Sequence, residues 1–322
     1  MITIDAINHA ATWLRKRVDH TPLVYSSALS THAEAPIWLK MDHLQRTGSF
    51  KVRGALYALS QMPGAQRRRG VVTCSAGNHG KGMAYAAQQM KMPVRIYVPQ
   101  SVDEAKYAGM IALGATVIRT DFPGYDATEA WARTEAARLD MPFVSAFDDW
   151  DIMAGNGGSL GVEIVTDIDD VGTLLVSVGG GGYGAGLAFY LKACFPNLHV
   201  VAVQHEGCPA LAQSLARGEA ITAMPALETV AGGLEGGLGV RPFTVLREAV
   251  DTVVHVSEAE IKAAVRWLLA EHQTLVEPSA AVTVAALLHG KAKLPNVRPV
   301  VTVLTGRNVS YSTLRSIVCA SS

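Results

Sequence analysis

Lys51 stands in the stretch Thr47-Gly48-Ser49-Phe50-Lys51-Val52-Arg53-Gly54, ahead of a helical pattern whose apolar stripe is Phe50, Leu56 and Leu59. Ser49 is the expected N-cap, which puts Lys51 in the first helical turn. The positive end of the helix dipole disfavours an ammonium there, and burial pushes a lysine pKa the same way. A neutral amine is what Schiff-base chemistry with an aldehyde requires. Taken alone, the position also suits an ordinary exposed lysine.

Three other turns carry residues of matching chemistry. Thr73-Cys74-Ser75-Ala76-Gly77-Asn78-His79-Gly80 follows a strand pattern and opens a helix. Its small residues let backbone N–H groups approach an anion such as a carboxylate, and Asn78 brings an amide that both donates and accepts. His79 has two readings, a general base or a structural histidine. Ser177-Val178-Gly179-Gly180-Gly181-Gly182-Tyr183-Gly184 runs from a strand through four glycines into a helix. Bare amides at a positive helix end can wrap a phosphate, and four consecutive glycines are too costly in chain entropy for a bland turn. Gly179, Gly181 and Gly184 also satisfy G-x-G-x-x-G, with Glu206 following the next strand, so an NAD(P)-dependent oxidoreductase is the rival on local grounds. The fourth turn, Val303-Leu304-Thr305-Gly306-Arg307-Asn308, brings the Thr305 hydroxyl to the end of a strand, where it could face a pyridine nitrogen.

The elements that must position these turns are short β-branched runs alternating with longer helical patterns. Strands are expected at Ile37–Met41, Val71–Cys74, Val94–Val98, Thr116–Arg119, Leu174–Val178, Val200–Gln204, Thr252–Val256 and Val300–Leu304. Helices are expected at Gly80–Met90, Tyr125–Leu139, Glu258–His272 and Ala280–His289. The alternation predicts parallel sheets covered by helices, with ligands outside the carboxyl ends of the strands. The 322 residues are 49% hydrophobic and 17% charged, and Lys+Arg equals Asp+Glu at 28 each. That composition predicts a well-cored globular protein acting on a small molecule, with neither a nucleic acid nor a membrane as partner. Val171–Leu191 carries no charge, but its glycines mark a strand, a turn and a helix rather than a bilayer span. Cys74, Cys194, Cys208 and Cys319 are scattered, consistent with free thiols in a reducing cytosol. The N-terminus, charged and amphipathic, does not read as a signal peptide, so a cytoplasmic location is expected.

Taken together, the four turns resemble the fold-type II pyridoxal-phosphate enzymes, the threonine/serine dehydratase and serine racemase group in particular. Ser49-Phe50-Lys51-Val52-Arg53-Gly54-Ala55 and Ser75-Ala76-Gly77-Asn78-His79-Gly80 carry most of the likeness. Phe147-Asp148-Asp149, Ala154-Gly155 and Glu277-Pro278-Ser279-Ala280 add to it. The resemblance implies an α/β, tryptophan synthase β-like fold of two domains, each a mostly parallel twisted sheet flanked by helices. Residues 1–46 and 147–322 would form the large cofactor-binding domain, and 47–146 the small domain closing over the substrate cleft. It implies that pyridoxal 5′-phosphate is held covalently by Lys51 beside Phe50. Asn78 would meet its 3′-oxygen, Gly179, Gly180, Gly181 and Gly182 its phosphate, and Thr305 its ring nitrogen, with Gly233 and Glu277 near the ring. Ser75, Ala76, Gly77, Asn78 and His79 would close around the substrate carboxylate. The implied activity is β-elimination of water from a small β-hydroxy amino acid such as L-threonine or L-serine, in a homodimer.

Departures from the group's pattern refine this expectation. Ala76 stands where racemases carry a serine that works on the face opposite the lysine, so dehydration is favoured. Ser75 is a candidate substitute that keeps a serine- or aspartate-type racemase as the alternative. The acids that would bind a divalent cation are missing at Gln204 and Ala210, so no metal is expected. Tyr183 and Asn156 also depart from the usual residues, leaving room for other β-hydroxy amino acids, including those of hydroxyectoine breakdown. With the sequence ending at Ser322, the C-terminal regulatory domain of allosteric dehydratases is not expected.

Overall fold

The computed structural model describes residues 1–75, 77–295 and 297–319. Two sheets organise them. The larger has six strands in the order β1-β2-β9-β6-β7-β8. These are β1 (Leu23–Tyr25), β2 (Ile37–Lys40), β6 (Thr173–Ser177), β7 (His199–His205), β8 (Thr252–Val256) and β9 (Val300–Val303). All neighbours run parallel except the β1–β2 pair at the edge. The smaller sheet is β3 (Val71–Cys74), β4 (Val94–Val98) and β5 (Thr116–Arg119), all parallel.

Strand β6 shows why these runs form a covered parallel sheet. Thr173, Leu174, Leu175 and Val176 are all buried, the pattern of a strand with helices on both faces. Leu174 and Val176 belong to the core on one face, and Leu175 to the core on the other, as the two-residue side-chain period demands. The expected strands lie within a residue or two of those observed. Strand β1 was not expected: it has three residues, two of them exposed, and so no buried run to mark it.

The Lys51–Gln61 helix is pinned from three directions. The backbone N–H of Gly54 donates to Asn156 Oδ1 at 2.8 Å, in the π-helical turn Ala154–Gly158. A Cβ at Gly155 would stand 2.7 Å from the Gly54 Cα, so the two backbones meet where only glycine fits. A Cβ at Gly82 would stand 3.1 Å from the Lys51 carbonyl, fixing the Asn78–Gln89 helix against the same turn.

The third constraint is ionic. Arg53 is fully buried and bidentate: its Nη2 lies 2.7 Å from Asp42 Oδ1 and its Nη1 2.6 Å from Glu163 Oε1. Lys40, also fully buried, reaches Glu163 Oε2 at 3.0 Å and Asp167 Oδ2 at 2.7 Å. The cluster ties β2, the Lys51 helix and the Ser159–Asp167 helix together. Buried charges are tolerable only when paired and hydrogen-bonded in this way.

Ser49 does not cap the helix. The cap residue is Phe50, with no side-chain capping bond. Ser49 instead forms a bridge with Gly306, and its hydroxyl is buried without a partner. Pairing with the segment after β9 takes precedence over the local cap.

Arg53→Met should destabilise the fold by about 3–5 kcal/mol, because it leaves the buried Asp42 carboxylate uncompensated. Urea unfolding measures it; a loss near that of a surface pair, under about 1 kcal/mol, would show that the cluster does not hold the helix.

Candidate active site

Every carboxyl-end turn singled out in the sequence opens onto one cavity of about 640 Å³ lying between the two sheets' strand ends. Its walls include Phe50 and Lys51 from the helix start, and Ser75, Gly77, Asn78 and His79 after β3. Gly179–Gly182 follow β6, Thr305 follows β9, and Gly233 and Glu277 complete the set. The structure thus brings all the candidate residues together except Ala76, which lies outside the described residues.

Lys51 Nζ points into this cavity, 3.2 Å from the Ala146 carbonyl oxygen and 5.1 Å from the centre of the Phe50 ring. Burial lowers its pKa to about 8, against the opposing charge of Glu277. The amine therefore loses its proton more readily than a surface lysine does.

The glycine run is shaped by what stands against it. A Cβ at Gly180 would lie 2.4 Å from the Phe147 ring, one at Gly182 2.4 Å from the Phe147 carbonyl, and one at Gly179 2.6 Å from the Gly233 carbonyl. Gly181 has φ +88°, a conformation side chains disfavour. The Gly182–Cys194 helix begins here, and the N–H groups of its first turn have no carbonyl within the helix to bond. The result is a side-chain-free rim of amides at a positive helix end, suited to a phosphate.

Asn78 opens its helix with its amide held at both ends. Its Nδ2 donates to Glu277 Oε1 at 2.6 Å, and its Oδ1 accepts from Asn308 Nδ2 at 2.7 Å. Burial raises the pKa of Glu277, while the charge of Lys106 and the Asn78 bond oppose that rise. Gly306 leaves room for this carboxylate, since a Cβ there would stand 2.5 Å from Glu277 Oε1. Thr305 is buried, and its carbonyl accepts from Phe50 N at 3.1 Å.

His79 resolves toward its structural reading. It is buried with Nε2 3.0 Å from Thr73 Oγ1, and burial, then the charge of Lys51, lowers its pKa to about 3. It stays neutral and forms a wall. Glu206, which a dinucleotide site would need, is exposed and does not line the cavity.

Sequence reasoning missed Lys81 and Lys106. Lys106 lines the cavity from the Glu104–Ala112 helix, and Lys81 lines a smaller adjoining pocket. Both look like solvent-facing helix lysines in sequence. Phe147, noted only for its motif, proves to be the surface that dictates Gly180 and Gly182.

An amine of lowered pKa, an amide rim free of side chains and a cavity of this size together fit a phosphorylated aldehyde and a small substrate. The comparisons agree. Residues 14–306 match the family model described as pyridoxal-phosphate dependent enzyme. The L-threonine ammonia-lyase of Geobacter sulfurreducens is 36% identical over 321 residues, 99% of this chain and 78% of that protein. The structure of maize serine racemase superposes with a TM-score of 0.91 at 27% identity, covering 97% of this chain and 95% of that one. The processed form of threonine deaminase isoform 2 from Solanum lycopersicum superposes at 0.89 with 26% identity, covering 99% of this chain and 94% of that one.

Capture of the aldehyde by cofactor-free protein should accelerate with pH and level off above about 8, where Lys51 becomes neutral. A stopped-flow rate still climbing near pH ~10, as an ordinary lysine would give, would show that the amine is not desolvated. Gly182→Ala, by driving a methyl into the Phe147 carbonyl, should weaken cofactor affinity at least ~10-fold, the effect of about 1.4 kcal/mol, in an equilibrium fluorescence titration.

Proposed function

The chain belongs to the pyridoxal-phosphate dependent enzymes, and from that membership we propose that it dehydrates a small β-hydroxy amino acid, L-threonine or L-serine by default, to a 2-keto acid and ammonia. The observation that carries the reading is the Lys51 amine, of lowered pKa, sharing one cavity with the glycine rim. The L-threonine ammonia-lyase relative, alike over nearly the whole chain, supports the substrate class. No helix among the described residues is long and apolar enough to cross a membrane.

Pyridoxal phosphate bound in the cavity supplies an aldehyde for the substrate's amine and a conjugated ring that spreads the electron pair left when Cα loses its proton. The chain's own residues do the rest. The Gly179–Gly182 amides would hold the phosphate, and Asn78 and Thr305 would meet the ring's oxygen and nitrogen. Thr305 offers a hydroxyl where a carboxylate would keep the ring nitrogen protonated, so the electron sink is weaker and prompt loss of the β-substituent is favoured over amino transfer. Ser75, Gly77, Asn78 and His79 line the part of the cavity where the substrate carboxylate would sit. The Lys51 amine, neutral and in the cavity, would take the Cα proton. The Cβ–O bond breaks and the hydroxyl leaves as water, taking up a proton equivalent to the one Lys51 removed from Cα. The enamine product becomes an imine in water and hydrolyses to keto acid and ammonia.

We assign residues 1–46 and 147–322 to the cofactor-holding domain and 47–146 to the domain that closes over the substrate, in a cytoplasmic homodimer. A second reading, racemisation, has one observation in its favour. Ser75 lines the cavity, and its Oγ accepts from Gly77 N at 3.1 Å.

The test is ammonia and keto-acid release from a panel of β-hydroxy amino acids. Turnover is expected with L-threonine or L-serine, and Lys51→Ala should lower it by roughly 10³-fold or more. D-serine accumulating faster than pyruvate would favour the racemase reading; keto acid formed at the normal rate by Lys51→Ala would refute the assignment of the lysine.

A further inference from the structure

A chain of polar side chains leads from Lys81 to the cavity. Lys81 Nζ donates to Asn308 Oδ1 at 2.9 Å. Asn308 Nδ2 donates to Asn78 Oδ1 at 2.7 Å and to the Thr47 carbonyl at 2.9 Å. Asn78 Nδ2 donates to Glu277 Oε1 at 2.6 Å. The chain crosses the molecule, joining the Asn78–Gln89 helix beside the small sheet to the segment after β9 and the turn before Lys51.

Its polarity has one self-consistent direction. A lysine ammonium only donates, so the Asn308 atom facing it is the oxygen. The Asn308 amide group then faces Thr47 O, which only accepts, and Asn78. Asn78 must answer with its oxygen, which turns its own N–H donors toward Glu277 and the cavity. With no charge at position 81 the orientation rests on Thr47 O and Glu277 alone; a half turn of both amides would set the Asn308 oxygen against Thr47 O and the Asn78 oxygen against the Glu277 carboxylate. The site is built around this arrangement. Gly48 has φ +76°, and a Cβ there would stand 2.7 Å from Asn308 Oδ1, so the turn before Lys51 yields its volume to the Asn308 amide.

We propose that Lys81, acting through Asn308 and together with the Thr47 carbonyl and the Glu277 carboxylate, holds the Asn78 amide with its donor end toward the cofactor, making Lys81 and Asn308 positioning residues of the active site. The inference deepens the reading of Asn78 as the residue that meets the cofactor's 3′-oxygen. An N–H aimed at that oxygen stabilises its ionised form; a carbonyl aimed at it does the reverse. Lys81 itself holds no position in the chemistry and lines only the adjoining pocket, with Asp103, Lys106 and Ser310.

The test uses the cofactor-loaded protein without substrate, so it can be read whatever reaction the enzyme proves to catalyse. The readouts are the pH titration of the cofactor's visible absorbance band and the cofactor dissociation constant. Lys81→Met should displace the titration to higher pH and weaken cofactor binding roughly tenfold, the effect of losing one charge-assisted hydrogen bond. Lys81→Arg, which still only donates, should restore both. Lys81→Glu, which only accepts, should exceed the effect of Lys81→Met. Asn308→Asp, close in shape but unable to donate to Asn78, should shift the titration the same way, and it gives a second route should a Lys81 variant fold poorly. Titrations and dissociation constants unchanged across the folded variants would overturn the proposal. So would equal effects of Lys81→Arg and Lys81→Met, since a merely structural role is indifferent to which group donates.

Discussion

A charged amine at the wall of a partly open cavity gives up hydration that the protein does not replace, and the rest of the site is arranged around that penalty at Lys51. The amine sits beside the Phe50 ring and the Ala146 carbonyl, groups too weak to hold an ammonium firmly, and its pKa falls to about 8. Glu277 pulls the other way without cancelling the effect. The outcome is a lysine that is a usable nucleophile at moderate pH. It shares its cavity with a rim of bare amides.

Keeping that amine in place requires the first turn of its helix to be rigid, and the rigidity comes from outside the cavity. Arg53, two residues on, is locked between Asp42 and Glu163. Gly54 is held by Asn156, and Gly155 lets the two backbones touch. None of these groups lines the cavity. They are the support that fixes a reactive side chain whose own contacts are few. On the other side, Phe147 stands against Gly180 and Gly182, so the bare-amide rim is shaped by a residue that itself lines the cavity.

Much of this was legible in the sequence because the signals are local. The strands declare themselves by short buried β-branched runs such as Val300–Val303, and the side-chain-free rim by four consecutive glycines. Lys51 and Asn78 were visible because each opens a helix after a distinctive turn. What stayed hidden depends on partners distant in the chain. Ser49 looks like a cap until Gly306 pairs with it. Arg53 looks like a surface arginine until Asp42 and Glu163 enclose it. Lys81 and Asn308 meet across more than two hundred residues, and nothing in either neighbourhood announces it. Local chemistry marks the groups that react, whereas the groups that orient them are found through tertiary contact.

Which amine carries the cofactor decides everything else about the site. Borohydride reduction of the loaded protein, followed by proteolysis and mass spectrometry, reads this directly. A single phosphopyridoxyl adduct on Lys51 is the expected product. An adduct on Lys81, Lys106 or any other lysine, with Lys51 unmodified, would refute the role given to Lys51.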